Sequence, residues 1–285
     1  MFQQFSKLLD NEDDFAGWRN FIVRHEDMIP VLRQGDKNSL ERQIDEFLAL
    51  NRGIVLRLQP TRLQHQFDIS SLVSKHIAMT NKLDSLLTVI DFGHIKEPLG
   101  PAMQALSIIR NLMQAAGNQK IHVAVCSTSY PREFHGLSSE LIRYPILERE
   151  LVNLVEKELG SGVVNLLYSD YASARTRSDE DGGPGYPRID YPIQTEWLSN
   201  RQKIPPKDKG TYIDAAKKIM SQNEWNDELR IYGANMIRDA ANGKVKDRQS
   251  ASFWVSVRIN LHLHRQAHYN SADEIFLGDE SSWQD

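Results

Sequence analysis

The run Leu86-Leu-Thr-Val-Ile-Asp-Phe-Gly93 is one of six short apolar runs in this sequence of 285 residues. Polar or charged residues stand where most of these runs end. The other runs occupy residues 28–34, 53–59, 121–127, 163–171 and 189–195. Helical patterns separate the first five runs, and such alternation is typical of a buried parallel sheet. We therefore predict an α/β fold whose chemistry lies at the carboxyl ends of the strands.

Six strand candidates are two fewer than a closed (β/α) barrel needs. We predict a TIM-barrel-like domain over residues 28–205, preceded by N-terminal helices over 1–27. A helical segment over 206–285 packs on that domain, and its last residues are disordered. The polar, acidic residues 172–186 predict a mobile loop that could act as a lid.

Composition and charge exclude several classes of protein. Hydrophobic residues make up 40% of the chain and charged residues 25%, which is ordinary for a globular protein. The net charge of −4 gives no global attraction for nucleic acid, although a local basic patch could still bind it. A single cysteine, Cys126, excludes an intrachain disulfide and predicts a cytoplasmic protein. No apolar run approaches the roughly 18 residues of a membrane span.

Four segments together resemble the signature of the beta family proteins, the family of the bacteriophage T4 beta protein. They are Ser169-Asp-Tyr-Ala-Ser173, Gly185-Tyr-Pro-Arg-Ile-Asp-Tyr191, Glu196-Trp-Leu-Ser-Asn-Arg-Gln202 and Phe253-Trp-Val-Ser-Val-Arg-Ile-Asn-Leu-His-Leu-His264. The resemblance extends over residues 28–270, and the order of the motifs is more telling than any one of them. It implies a TIM-barrel-like architecture and a role in phage–host conflict, without a firmly assigned activity.

The resemblance also implies two further N-terminal βα units that this sequence lacks. Either the chain starts late relative to the family, or other segments close the open edge of the sheet. We predict that the 28–34 edge is covered by terminal segments or pairs with another chain. A homodimer or a complex with a protein partner is therefore expected at this edge.

Two arginines end consecutive strands in near-identical contexts. Arg33 and Arg57 stand in Val-Leu-Arg-Gln and Val-Leu-Arg-Leu-Gln. A planar guanidinium suits phosphate or carboxylate, so one interpretation is a shared anion site. The alternative is that these arginines form salt bridges with Asp91 inside the fold.

Three residues are candidates for catalysis. Asp91 and Asp170 both stand at strand ends, where carboxylates could bind a divalent metal or act as acid and base. Alternatively, they neutralise the arginines or cap the loops that follow. Histidine is a common proton-transfer residue near neutral pH, so His94 could transfer protons at the same edge.

Aromatic and basic residues near the sixth run are candidates for ligand binding. Tyr171 follows Asp170 directly, and Trp197 and Arg201 are four residues apart, so they share a face if the stretch is helical. They then form a stacking platform for a base or sugar. The alternative is a packing tryptophan covered by an arginine.

Histidines crowd the last helix, at positions 262, 264 and 268. His264 and His268 have the spacing of zinc ligands, but no His-Glu-x-x-His motif is present, so packing or solvent contact is favoured. The sequence identifies no metal and leaves any cofactor unknown. Two functions remain open: an enzyme or binding protein for a phosphate-containing ligand or nucleic-acid end, and a scaffold that binds a protein partner.

Overall fold

The computed structural model describes residues 8, 10–33, 36–60, 85–131, 141–160, 162–173, 187–202, 210–244 and 250–270. The chain divides into two compact units. Unit 1 comprises residues 1–127 and 150–169, and unit 2 comprises residues 128–149 and 170–285. The domain boundaries predicted at residues 27/28 and 205/206 remain a prediction. Most of the predicted mobile loop over 172–186 lies outside the described residues.

The described strands and helices alternate only in the first part of the chain. The strands are β1 (Ile54–Leu58), β2 (Leu86–His94), β3 (Ile121–Thr128), β4 (Leu141–Pro145), β5 (Val164–Asp170), β6 (Arg188–Pro192) and β7 (Glu196–Arg201). The helices are α1 (Ala16–Arg24), α2 (Lys37–Leu48), α3 (Leu99–Ala116), α4 (Glu148–Leu159), α5 (Gly210–Met220), α6 (Tyr232–Ala241) and α7 (Ala251–Ala267). The architecture is thus mixed α/β, as the sequence predicts. None of the described helices is both long and apolar enough to span a membrane.

Unit 1 is built on a four-stranded sheet in the order β1-β2-β3-β5. Strands β1 and β2 run parallel, with Ile54 opposite Leu86 and Leu58 opposite Ile90. Alternate residues of β1 are buried, so one face of this strand packs into the core. The described residues contain this open sheet and no closed barrel.

The predicted first strand, 28–34, is reduced to a single bridge between Val31 and Val55. Val55 donates its N–H to the Pro30 carbonyl at 2.8 Å, and Leu32 donates to the Val55 carbonyl at 2.9 Å. The strand stays short because Pro30 has no N–H and because the Val31 carbonyl accepts the indole N–H of Trp18 at 3.0 Å. The bridge therefore extends the parallel sheet by one residue only.

The sixth strand candidate, at residues 189–195, is wrong as a strand of the parallel sheet. The structure has a hairpin instead, in which β6 pairs antiparallel with β7, and Ile193 donates to the Glu196 carbonyl at 2.8 Å across the turn. Strand β4, for which the sequence analysis has no strand candidate, pairs antiparallel with β7. Unit 2 therefore contains a separate three-stranded sheet in the order β4-β7-β6.

Helices α5, α6 and α7 share a hydrophobic core with β6 and β7 in unit 2. A side chain at Gly233 of α6 would meet Leu261 and the Val257 carbonyl of α7 within 3 Å, so these helices approach closely. The Gly233 N–H also donates to Asn260 of α7 at 2.8 Å. These contacts fix α7, whose polar side chains belong to the candidate site.

Candidate functional site

Arg57 and Asp91 form an ion pair in unit 1. Arg57 lies opposite Val89 in the β1–β2 register, and Asp91 is two residues further along β2, on the same face. The Arg57 Nε–H donates to Asp91 Oδ2 at 2.9 Å, and Nη2 contacts the same oxygen. Asp91 Oδ1 accepts the Gly93 N–H at 2.9 Å. The salt bridge is the alternative that the sequence analysis left open.

The two side chains of this pair differ sharply in exposure. Asp91 is 2% exposed, whereas 46% of the Arg57 side chain is exposed. A buried carboxylate thus holds a guanidinium whose outer part faces solvent. Planar N–H groups held in this way suit an oxyanion.

Arg33 is half-buried and its backbone is fixed by one side chain. The amide of Gln43 accepts the Arg33 N–H at 2.8 Å and donates to the Arg33 carbonyl at 3.1 Å. The Arg33 Nε atom is buried and has no hydrogen-bond partner among the described residues. Val31 and Val55 form the bridge between the two segments. Arg33 lies two residues after Val31, and Arg57 lies two residues after Val55.

Asp170 ends β5 and receives two hydrogen bonds within unit 2. Its Oδ2 atom lies 2.6 Å from Nε2 of His262, and its Oδ1 atom accepts the Ala172 N–H at 2.7 Å. Ala172 and Ser173 both have positive φ angles, so the chain turns sharply here. Tyr171, between the strand and this turn, is half-buried. His94, at the end of β2 in unit 1, is likewise half-buried.

Trp197 and Arg201 lie on strand β7, not on a helix. Residues four apart also share a face of a strand. Trp197 is 1% exposed. Its ring packs edge-on against Tyr130, with the ring centroids 5.2 Å apart, and stacks on His262, with the ring centroids 5.1 Å apart. Arg201 is half-buried. These contacts agree with the packing alternative for Trp197, and ligand binding by this pair stays a prediction.

A buried polar network centres on Asp190 of β6. Asp190 Oδ2 accepts from the Tyr130 hydroxyl at 2.7 Å, from Arg188 Nε at 2.9 Å and from Arg258 Nη1 at 3.1 Å. Its Oδ1 accepts from the Ser199 hydroxyl at 2.6 Å. Both carboxylate oxygens are therefore satisfied by donors from a loop, a hairpin and helix α7.

Electrostatics in this network favour the ionised carboxylate. Burial alone would raise the pKa of Asp190, but the charges of Arg188 and Arg258 outweigh burial and hold that pKa below its ordinary value. Burial and the Asp190 charge raise the pKa of Tyr130, so its hydroxyl stays protonated and donates. Asp190 is consequently ionised and hydrogen-bonded through both oxygens, and two arginines face its single negative charge.

Glu148 and Ser129 form a second buried pair in unit 2. Glu148 accepts the Ser129 backbone N–H at 2.6 Å and the Ser129 hydroxyl at 2.8 Å. Burial raises the pKa of Glu148, and the negative charge of Asp170 adds to this effect. Two carboxylates and His262 thus share one buried region, but no group of metal-binding geometry occurs in the part of the chain that the structure describes.

Sequence reasoning missed the residues Tyr130, Asp190 and Arg258. The signal for two of them was available, because Asp190 and Arg258 each interrupt an apolar run, where a charge must find a partner. Tyr130 has no such signal. His262 was weighed only for zinc or packing, and its contact with Asp170 joins residues 92 positions apart.

Comparison with known proteins identifies the family. The family model for the Beta protein matches residues 1–268. The curated "Protein beta" of Enterobacteria phage P4 is 28% identical over 276 residues, an alignment that spans 93% of this chain and 73% of the relative. No solved structure matches the chain. The association of the family with phage T4 is wrong, because the matched relative comes from phage P4. The chain belongs to the Beta protein family.

Proposed function

We propose that unit 1 binds a phosphate-containing anion at Arg57, with Arg33 as a second contact, in a phage-associated role. The observation that carries this proposal is the contrast between a half-exposed Arg57 and its buried partner Asp91. Asp91 orients the guanidinium from the protein side. The exposed side is then preorganised for a ligand, and an oriented fork of donors loses less entropy on binding.

The charge balance supports an anion rather than a cation. Arg33 and Arg57 supply two positive charges, and Asp91 supplies one negative charge, so the three side chains carry a net charge of +1. The buried Nε of Arg33, which has no hydrogen-bond partner among the described residues, is a further donor in this proposal. The net charge of −4 opposes binding along a nucleic-acid backbone. A nucleotide or a nucleic-acid end is therefore the favoured ligand.

The catalytic roles of Asp91, Asp170 and His94 belong to this proposal as predictions. So do the ligand contacts predicted for Tyr171, Trp197 and Arg201. A barrel-like closure of the sheet is likewise proposed, because the strand order of the four-stranded sheet follows the chain order, as in a (β/α) barrel.

Fluorescence anisotropy with labelled oligonucleotide ends tests the choice of ligand. We expect a 5′-phosphorylated oligonucleotide to bind more tightly than the same strand with a 5′-hydroxyl. Arg57→Ala should remove that difference, and Arg110→Ala, which alters an exposed arginine of α3, should keep it. Equal affinity of the wild-type protein for both ends would contradict a terminal phosphate as the ligand.

The phage–host role is tested by infection. Bacteria that express the wild-type chain should resist phage more than bacteria that express Arg57→Ala at the same level. Equal plaque counts with both proteins would contradict a defence role that depends on this site.

The scaffold alternative is favoured by one observation at the sheet edge. Next to the Val31 bridge, Ile29 is 58% exposed and Met28 is 42% exposed. Apolar residues beside an open edge favour association with another chain. Light scattering at micromolar concentration should then show a dimer that Ile29→Lys dissociates. A wild-type monomer would contradict self-association.

A further inference from the structure

Helix α7 carries two buried polar side-chain atoms, one a hydrogen-bond acceptor and one a donor, on residues one turn apart. Nδ1 of His262 and Nε2 of Gln266 are both buried, and neither has a hydrogen-bond partner among the described residues. Residues four apart are neighbours on a helix surface. Both side chains are at least nine-tenths buried, at 2% and 9% exposure. Buried polar atoms are nearly always satisfied, so this pair needs an explanation.

The contacts of His262 define which of its nitrogens is the acceptor. Asp170 lies against Nε2 at 2.6 Å and also accepts the Ala172 N–H, so its carboxylate acts as an acceptor. Nε2 therefore donates to Asp170, and in the singly protonated ring that the proposal requires, Nδ1 carries a lone pair. Stacking on Trp197 at 5.1 Å holds the ring in this orientation.

The contacts of Gln266 identify its side-chain NH₂ group as the donor. Arg149 donates from Nε to Oε1 of Gln266 at 2.7 Å, which identifies the oxygen and leaves the NH₂ group without a partner in the described structure. The positive Arg149 also polarises this amide and strengthens its N–H groups as donors. Nη2 of Arg149 also donates to the backbone carbonyl of Gln266 at 3.0 Å, so the Arg149 side chain contacts Gln266 through two hydrogen bonds.

We propose that His262 and Gln266 bind one hydroxyl group, which donates to Nδ1 and accepts from the Gln266 amide. The hydroxyl belongs to water or to an alcohol group of a small ligand. One hydroxyl can satisfy both atoms, because it is both a donor and an acceptor. This site lies in unit 2 and does not depend on the anion site proposed for unit 1.

The arrangement suits general-base chemistry on that hydroxyl. The O–H bond breaks as Nδ1 takes the proton, and the imidazolium formed is stabilised by the carboxylate of Asp170. The oxygen retains the electron pair and is stabilised by the Gln266 N–H. Asp170 is then a positioning residue that fixes the tautomer, as in other carboxylate–histidine pairs.

Nitrogen NMR of protein labelled with ¹⁵N-histidine tests the site at neutral pH. His262→Gln assigns the signal. We expect an unprotonated Nδ1 whose resonance shows an accepted hydrogen bond, and we expect Gln266→Glu and Gln266→Met both to shift it toward the free value. Gln104→Leu, at an exposed glutamine of α3, should leave it unchanged. A protonated Nδ1, or a signal unmoved by both Gln266 variants, would overturn the proposal.

Titration with ethylene glycol distinguishes a ligand alcohol from bound water as the source of the hydroxyl. A saturable shift of the Nδ1 signal that Gln266→Glu abolishes assigns the site to a ligand alcohol. A hydrogen-bonded signal that glycol leaves unchanged assigns it to bound water. Asp170→Asn supplies the second readout, because loss of the carboxylate should move the proton from Nε2 to Nδ1. An unchanged tautomer in this variant would contradict the positioning role of Asp170.

Discussion

Arg57 and Arg258 each pair with a buried aspartate, but their surroundings differ. The side chain of Arg57 is 46% exposed, whereas that of Arg258 is 5% exposed. Arg258 also contacts Ser173 and Tyr130, so its N–H groups are used within the protein. The same residue type is thus our proposed ligand contact in unit 1, and it pairs with a buried carboxylate inside unit 2. Exposure, rather than pairing, distinguishes the two.

The largest effect expected from this contrast is on the stability of unit 2. Asp190→Ala leaves the charges of Arg188 and Arg258 without their carboxylate in a buried region. We expect a loss of about 3–5 kcal/mol in the free energy of unfolding. Urea denaturation measures it, with Asp239→Ala in α6 as a control at a less buried aspartate. A loss below about 1 kcal/mol would break the contrast.

A smaller effect is expected when the exposed arginine is removed. Arg57→Ala removes a charged donor from Asp91, which keeps the hydrogen bond from the Gly93 N–H, and water can reach the vacated space. We expect a loss of about 1–3 kcal/mol, because one buried acceptor loses a charged donor. Urea denaturation should show that Arg57→Lys recovers part of this loss. A cost equal to that of Asp190→Ala would mean that Arg57 is as structural as Arg258.

The smallest effect is the response of unit 2 to pH, in which Glu148 and Asp190 act with opposite sign. The raised pKa of Glu148 means that the folded state binds its proton more readily, so stability falls as pH rises from about 4.5 through the folded pKa. The lowered pKa of Asp190 contributes stability above about pH 3.8, and this is lost as pH falls through the folded pKa.

Thermal unfolding across the acidic range tests this pattern. Glu148→Gln should abolish the stability change on the upper side of pH 4.5, and Asp190→Asn should abolish the change below pH 3.8. The two variants serve as controls for each other, because each removes the stability change in a different pH range. A wild-type profile that falls steadily with rising pH over the whole range would contradict the assignment of Asp190.

The parallel part of the fold was predictable, whereas the pairing in unit 2 was not. Strands β1, β2, β3 and β5 coincide with apolar runs of the sequence, because the strands of a largely covered parallel sheet are rich in apolar residues. The run at 189–195 is also rich in apolar residues, but the turn at Ile193 reverses the chain. An apolar pattern does not encode the direction of pairing. Strand β4 was not predicted, because it is half-exposed and carries Arg143 and Tyr144, so it is not an apolar run.

The candidate site was predictable only in part, for a similar reason. The Arg57–Asp91 pair follows from strand ends that are adjacent in the sheet, and the sequence analysis weighed it as an alternative. The contact of Asp170 with His262 joins a strand end to a helix 92 residues later. Such contacts depend on how α7 packs on the hairpin, and residue spacing carries no information about that packing.

The central claim is that the half-exposed Arg57 is a binding residue. Calorimetric titration with inorganic pyrophosphate tests it most directly, in the wild-type protein, Arg57→Ala and the Arg110→Ala control. Loss of a charge-assisted contact worth about 1.5–3 kcal/mol corresponds to roughly a tenfold to hundredfold weaker affinity. We predict that loss for Arg57→Ala and none for Arg110→Ala. Equal affinity of the wild-type protein and Arg57→Ala for pyrophosphate would contradict the account.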